Sequence, residues 1–349
     1  GVQALLKGHG VLAGRRVAVA GTGPFLLSVA AGLARRGATV VGVYEAAPAS
    51  RWLRELRALA GAGGKVFEGA GYAKDLVRHR IPYRRRWTVV GAEGDDVLRS
   101  VTVAPIDGSG RIATRRARSV YVDVLAVGWG FVPQVELAVG LGCETVGDPQ
   151  GLAVLRVDAA GRTSVPGVFA AGEVCGVGGA GLAAVEGELA GIAVARTIGV
   201  AARTPAGSAA SAAGTGRIGT LLRRRRRLGD FAAALHRAYP VPDVWLRTLT
   251  DDTIVCRCEE VTAEAIRGTV ERDAATDART AKLLVRPGMG WCQGRICGYA
   301  TERLVHDAAR RVGPPTIAVP ERPLVVPVRL GLLANAVPGS TERQPDSTV

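Results

Sequence analysis

"RRVAVAGTGPFLLSVAAGLARRGATVVGVYEA", residues 15–46, decides how the first half of the chain folds. "RRVAVA" (15–20) is a short apolar strand and "GTGPFL" (21–26) a turn. Apolar residues at 25, 26, 29, 30 and 33 then recur at helical spacing, and "ATVVGVYEA" (38–46) reads as a second buried strand that ends in Glu45. This is a β-turn-α-β unit. Gly21 and Gly23 take the first two positions of G-x-G-x-x-G, with Pro24 beside them, while Leu26 stands where the third glycine would be. The first glycine makes the tight turn, and the second lets a pyrophosphate approach the backbone. The helix N-terminus supplies free N–H groups and a positive dipole end. Glu45 is placed to bind a ribose 2′-OH, which favours NAD or another ADP-containing nucleotide over NADP. The alternative is a Rossmann-like unit that holds no nucleotide, with Leu26 crowding the site.

Working outward, residues 65–123 contain strand-like runs at 87–94, 97–107 and 118–128, separated by Gly/Asp turns. They resemble an antiparallel meander that returns to a parallel core. Residues 165–174, "VPGVFAAGEV", read as a strand, followed by the glycine-rich turn "CGVGGAG" and a helix. In that loop Glu173 is placed to hydrogen-bond a ribityl or ribose hydroxyl. The helix N-terminus, with Gly172, Gly178, Gly179 and Ala180 about it, can face an electron-rich ring. Glycines alone also suit a packing turn. Residues 201–216 read as a linker, residues 217–250 as an Arg-rich amphipathic helix, and 313–349 as an extended Pro-containing tail.

The bulk properties bound the rest. A length of 349 residues allows two or three domains, and 48% hydrophobic residues allow a sizeable core. The 47 glycines and 5% aromatic share fit tight turns and backbone-lined ligand sites. The net charge of +14 is spread as arginine over every segment, with one dense run, Arg223–Arg227, and few aromatics near it. That pattern suits a solvated helix face or an acidic partner protein rather than nucleic acid. The uncharged stretch 17–34 reaches the length of a membrane span, but its Gly-Thr-Gly-Pro breaks a continuous helix. With no integral membrane segment and no signal peptide, a cytoplasmic protein is expected. The chain begins at Gly1 and runs straight into a helix-like segment, which reads as a truncated N-terminus.

Four of the six cysteines cluster. Cys256 and Cys258 form C-x-C, and, after 33 intervening residues, Cys292 and Cys297 form C-x4-C in "GMGWCQGRICG" (288–298). Residues i and i+2 of an extended segment point the same way, so Cys256 and Cys258 are expected to grip one metal atom together. Gly288, Gly290 and Gly294 let the backbone wrap closely and aim N–H groups at sulfur. Arg257 and Arg295 add nearby positive charge, or form surface salt bridges. Zinc is the rival metal, although structural zinc prefers C-x2-4-C knuckles. Cys143 and Cys175 read as ordinary buried thiols. His9, His79, His236 and His306 are isolated and read as surface or structural residues, so no general base stands out.

Two resemblances give these motifs a family. "DVLAVGWGFVPQVELAVGLGC" (123–143), which includes Gly128, and "TSVPGVFAAGEVCGVGGAGLAAVEGELAGIAVA" (163–195) resemble the C-terminal FAD-binding half of pyridine nucleotide–disulfide oxidoreductase-like flavoproteins. In that family the residue matching Glu173 is usually Asp and contacts the FAD ribityl chain. The unit at 18–46 resembles the family's inserted NAD-type domain. The likeness is greatest to large subunits of multi-subunit amine and amino-acid dehydrogenases of the opine oxidase, hydrogen cyanide synthase and dye-linked proline or hydroxyproline dehydrogenase type. The family's first FAD half and its redox-active CxxxxC do not occur here, so the FAD site is incomplete in this chain. "CRCEEVT" and "GMGWCQGRICG" resemble the bacterioferritin-associated-ferredoxin-like (BFD-like) domain, which implies a [2Fe–2S] cluster held by Cys256, Cys258, Cys292 and Cys297.

The implied fold is α/β. A Rossmann-like NAD-type domain with its meander (1–122) is inserted in a truncated FAD-binding domain (123–200). A linker and Arg-rich helix (201–250), a small helical [2Fe–2S] domain (251–312) and the tail (313–349) follow. The implied function is an oxidoreductase subunit relaying electrons in the dehydrogenation of proline, hydroxyproline, glycine or an opine-like substrate. Its partners would be an electron acceptor and a flavin-containing dehydrogenase subunit. Two alternatives stand: an NAD(P)H-dependent reductase passing electrons to an acceptor protein, and a zinc-bearing scaffold without activity.

Overall fold

The computed structural model describes residues 1–55, 63–199 and 209–311. The expected linker at 201–208 and the tail at 313–349 lie outside them. Helix α1 (Val2–His9) leads into β1 (Arg16–Gly21), α2 (Phe25–Arg35) and β2 (Thr39–Glu45), as the opening stretch predicts. Helix α3 (Gly63–Arg78) and the short β3 (Tyr83–Arg85) follow. Neither stands out in the sequence, since α3 has almost no mean apolar bias to show a helical period. Strands β4 (Trp87–Glu93), β5 (Ser100–Pro105) and β6 (Arg118–Tyr121) form the antiparallel meander, and β7 (Val124–Gly128) returns to the parallel sheet, whose order is β3-β2-β1-β7.

The run read as one strand over 118–128 is therefore two. The division falls at Asp123, whose carboxylate accepts the Arg15 and Arg16 backbone N–H groups at 2.9 and 2.8 Å. That anchor turns the chain from one sheet into the other. The alternation along β1 explains why it is apolar throughout. Val17 and Val19 face α2 and its Leu26, Ala30 and Leu33, whereas Ala18 and Ala20 face Val101, Val103 and Val122 of the meander. A strand covered on both faces cannot show the polar-out pattern.

Beyond β7, a short helix α4 (Glu136–Gly140) precedes the hairpin β8 (Thr145–Gly147) and β9 (Ala153–Leu155). The strand expected at 165–174 reduces to one bridge, Phe169 to Arg162, and a 3-10 turn at Glu173–Cys175. No neighbouring strand among the described residues gives it a ladder. Helix α5 (Ala180–Thr197) packs against α6 (Ala209–Ala238) through Val185, Leu189 and Leu221. Helix α6 starts inside the segment read as linker, where alanine favours helix. Its arginines are divided in use. Arg225 pairs with Glu186 at 3.1 Å, while Arg223, Arg224, Arg226 and Arg227 are exposed.

A 3-10 turn, Asp243–Thr248, leads into the last unit: β10 (Ile254–Cys256), β11 (Val261–Thr262), α7 (Ala263–Asp273), α8 (Ala278–Val285) and α9 (Gly298–Ala308). Thr262 caps α7 by accepting the Ala265 N–H, and Asp277 caps α8 by accepting that of Thr280. Ile266, Ala281, Leu304 and Val305 form a core that also takes in Cys256, Cys297, Trp245 and Leu246. Among the described residues no helix is long and apolar enough to cross a membrane.

Candidate functional site

The fold brings all four clustered cysteines to one end of the small helical unit. Cys256 ends β10 and is buried. The chain then turns, and Glu260 takes a left-handed φ of 54°, so Cys258 lies in the turn and is exposed. The extended geometry expected of this pair stops at Cys256. Cys292 and Cys297 sit on the loop before α9 and at its N-cap. The two segments converge: the Gly288 N–H donates to Cys256 Sγ, and Cys256 and Cys258 lie close enough to Cys297 and Cys292 respectively to act on the ionisation of those thiols. Among the described residues no three Cys, His, Asp or Glu side chains gather as a site for a single metal ion.

The glycines of the loop have the roles expected of them. The Gly288 N–H points at Cys256 Sγ at 3.5 Å. Gly290 lies so near the turn that a Cβ there would overlap the Cys258 Cβ and stand 3.4 Å from its sulfur. Electrostatics then separate the thiols. Burial, followed by the hydrogen bond and charge of Cys256, pushes the Cys297 thiol up to about 12. Burial opposes ionisation of Cys292 too. There the N–H groups of Ile296, Gly294 and Arg295 and the bond with Cys258 outweigh it, and the pKa falls below the ordinary thiol value. A metal centre here would displace the Cys297 proton on binding. Four cysteine donors on two converging segments, with a backbone N–H aimed at sulfur, fit a [2Fe–2S] group.

Of the two arginines beside the cysteines, Arg257 is exposed, while Arg295 pairs with Glu136 of α4 at 3.0 Å. The pair is largely withdrawn from water, with side chains 14% and 19% exposed, and fastens the cysteine loop to the nucleotide-fold body. Between these parts lies a cavity of about 190 Å³, lined mainly by apolar side chains including Trp129, Phe131, Trp245, Ile296 and Tyr299. The buried Trp245 Nε1–H has no partner among the described residues. A donor of this kind takes a water or a ligand acceptor.

The second glycine loop is braced from α5 and α6. Gly172, at φ 82°, donates its N–H to Glu186 at 3.1 Å, and Glu186 is the partner of Arg225. Gly179 is the N-cap of α5, which has no side-chain cap and no acidic residue in its first turn, so no cap side chain takes up its first N–H groups. Gly178 packs on Leu182. Glu173 opens the 3-10 turn and is exposed, rather than ending a strand. These features fit an FAD-type group. His236, read as surface or structural, bolts this loop to α6: Nε2–H donates to the Val177 carbonyl at 2.7 Å, and Nδ1 accepts from Gln150 at 2.9 Å. Only the tertiary contact identifies it.

In the first loop, Gly21 (φ 138°) is required by close approach, because a Cβ would collide with the Gly128 carbonyl. Gly128 accepts the Thr22 N–H at 2.9 Å. Leu26 does not crowd the loop, since its side chain turns into the core and is 2% exposed. Pro24 precedes α2, which also lacks a side-chain cap. Glu45 is buried and bonded to Gly23 and Ala47.

Comparison with known proteins agrees with this geometry. The family model described as pyridine nucleotide-disulphide oxidoreductase matches residues 3–199, and that of the BFD-like [2Fe-2S] binding domain matches residues 254–307. Hydrogen cyanide synthase subunit HcnB of Pseudomonas aeruginosa is 33% identical over 296 residues, covering 84% of this chain and 61% of that protein. An opine oxidase subunit of Rhizobium meliloti strain 1021 is 31% identical over 363 residues, covering 97% and 70%. The chain spans 61% and 65% of the lengths of the two HcnB proteins it matches. The crystal structure of L-proline dehydrogenase from P. horikoshii shares the fold, with a TM-score of 0.60 at 18% identity over 96% of this chain and 53% of that one. The chain therefore belongs to the pyridine nucleotide-disulphide oxidoreductase family and carries a C-terminal BFD-like [2Fe-2S] domain.

Proposed function

We propose that this chain is the electron-relaying subunit of a flavin-dependent amine or amino-acid dehydrogenase. The observation that carries the reading is the convergence of the Cys256–Cys258 turn and the Cys292–Cys297 loop, with Gly288 N–H on Cys256 Sγ and Gly290 packed against Cys258, beside a nucleotide-fold body. A [2Fe–2S] group supplies one-electron transfer, and a flavin supplies two-electron oxidation that can be released singly. In this reading the four cysteines hold the cluster, with Gly288 N–H moderating charge on Cys256 Sγ. Gly172, Glu173, Gly178, Gly179 and Ala180 orient the flavin nucleotide. Arg295 and Glu136 keep the two parts in register, so that the distance electrons cross is fixed. Cys258, Trp291 and Ile296 are exposed, the last two at 81% and 80%, and make the face through which electrons pass to an acceptor.

The relatives' names, hydrogen cyanide synthase and opine oxidase, support a small amino acid or an opine as substrate of the assembled enzyme. Both names also denote subunits, which supports a flavin-containing partner protein. Cysteines without a disulfide suit a reducing cytoplasm. A zinc scaffold is disfavoured because structural zinc prefers C-x2-4-C knuckles to C-x-C, and the domain model that matches residues 254–307 is a [2Fe-2S] one. The test is iron, acid-labile sulfide and zinc analysis of anaerobically purified chain. Two irons and two sulfides per chain are expected. One zinc per chain, or no metal after reconstitution with iron and sulfide, refutes the reading.

A further inference from the structure

The family implies a pyridine-nucleotide crevice outside the C-terminal ends of β1 and β2, the usual ligand position of an open parallel sheet. The residues at that place do not fit such a ligand. Glu45, the candidate for the ribose hydroxyl, is 1% exposed. Its Oε2 accepts the Gly23 N–H and its Oε1 the Ala47 N–H, each at 2.9 Å. Both carboxylate oxygens are thus engaged by backbone, and one of those donors belongs to the loop that should cradle pyrophosphate.

Side chains fill the volume beyond. Tyr83 on β3, beside β2, and Tyr239 lie near enough to Glu45 that burial and its charge together raise the pKa of both hydroxyls. Trp52 meets Tyr239 edge-on at 5.8 Å and stacks with Phe231 of α6 at 6.3 Å. Arg237, near the end of α6, forks onto both oxygens of Glu55 at 2.8 and 2.7 Å and closes the outer side. Val244, 4% exposed, packs on Ala46 and Ile106. Its neighbours Trp245 and Leu246 belong to the core that holds Cys256 and Cys297. Asp243 accepts a hydrogen bond from Arg303 of α9.

We propose that the NAD-type crevice of this chain is a sealed socket: the segment Arg237–Leu246 occupies it and thereby anchors the cluster domain on the nucleotide-fold body. The glycine loop and Glu45 have become a structural joint. Reducing equivalents from NADH or NADPH have no entry here, and this holds whether or not the chain serves an amine dehydrogenase.

The test has two arms on the full iron-loaded chain. In the first, NADH, NADPH and ADP-ribose are titrated calorimetrically. No saturable binding with Kd below about 1 mM is expected. Saturable micromolar binding of ADP-ribose that Gly23→Val abolishes overturns the proposal. In the second, Val244→Asp and, separately, Arg237→Ala are digested with trypsin, with iron content as the control for an intact cluster domain. Cleavage at Arg247 at least about tenfold faster than in the unaltered chain is expected. Unchanged cleavage in the variant that retains iron overturns the anchoring role. Arg237→Ala, whose clamp is 59% exposed, serves where Val244→Asp loses iron.

Discussion

Replacing Gly290 by alanine tests the cysteine geometry through a residue that is not itself a ligand. The added Cβ would clash with the Cys258 Cβ and approach its sulfur to 3.4 Å. Carbon atoms rest about 3.5–4.0 Å apart, so the two segments must separate by more than about 1 Å. Metal–ligand distances tolerate only about 0.2 Å. The required shift exceeds that several-fold, and it falls on a turn already fixed by Glu260 in a left-handed conformation. Gly290→Ala is therefore expected to keep less than about a tenth of the iron and sulfide of the unaltered chain, with the helical unit still folded by circular dichroism. Gly298→Ala is the control. Nothing lies within 4 Å of a Cβ there, and the residue starts α9 in ordinary helical geometry, so iron content should not change. Full iron in Gly290→Ala would show that the turn bearing Cys258 does not sit where the cluster forms, and the site as described would be wrong.

Three further outcomes follow from the same contacts. Cys258→Ser should leave an iron short of a thiolate and remove the reduced-cluster EPR signal; a signal of full strength would exclude Cys258 as a ligand. The Arg295–Glu136 pair, at 3.0 Å and mostly withdrawn from water, has a gross attraction of roughly 5 kcal/mol at an effective dielectric of about 20. Desolvation leaves about 1–3 kcal/mol. A double-mutant cycle with Arg295→Met and Glu136→Gln should find that coupling in urea unfolding, and a value near zero would rule out the fastening role. Burial raises the Cys175 thiol to about 11, with a smaller contribution from Glu186. Its alkylation at pH 8 should run about 100-fold slower than that of an unperturbed thiol. Because the folded pKa is the raised one, the stability that Cys175 contributes is complete below pH 9 and declines as pH climbs towards 11. Peptide mapping that finds Cys175 modified as fast as a free thiol would refute the burial argument.

How much could be read without coordinates differs from place to place. Strand β1, α2 and β2 were legible because a parallel strand covered on both faces is apolar end to end and α2 repeats its apolar residues at helical spacing. The four cysteines were legible because their spacing is rare. Helix α3 carries too little apolar bias to announce itself, and β3 is only three residues long. The run 118–128 looked continuous because nothing local marks the turn at Asp123, whose partners are the backbone of Arg15 and Arg16, more than a hundred residues away. "VPGVFAAGEV" has the composition of a strand but no neighbour to pair with among the described residues.

The sequence by itself determined the fold family, the identity of the four thiols and the two glycine loops, because each is written in local spacing: period 2, period 3.6, and glycine where backbone must approach closely. Tertiary structure alone decided that the two cysteine segments converge, that Arg295 is spent on Glu136, that His236 holds the Val177 carbonyl, and that Tyr83, Tyr239 and Val244 gather around Glu45 and Ala46. Those outcomes depend on side chains brought together from segments far apart in the chain. No periodicity records that proximity, and burial, not residue type, then fixes whether a carboxylate or a thiol is available for chemistry.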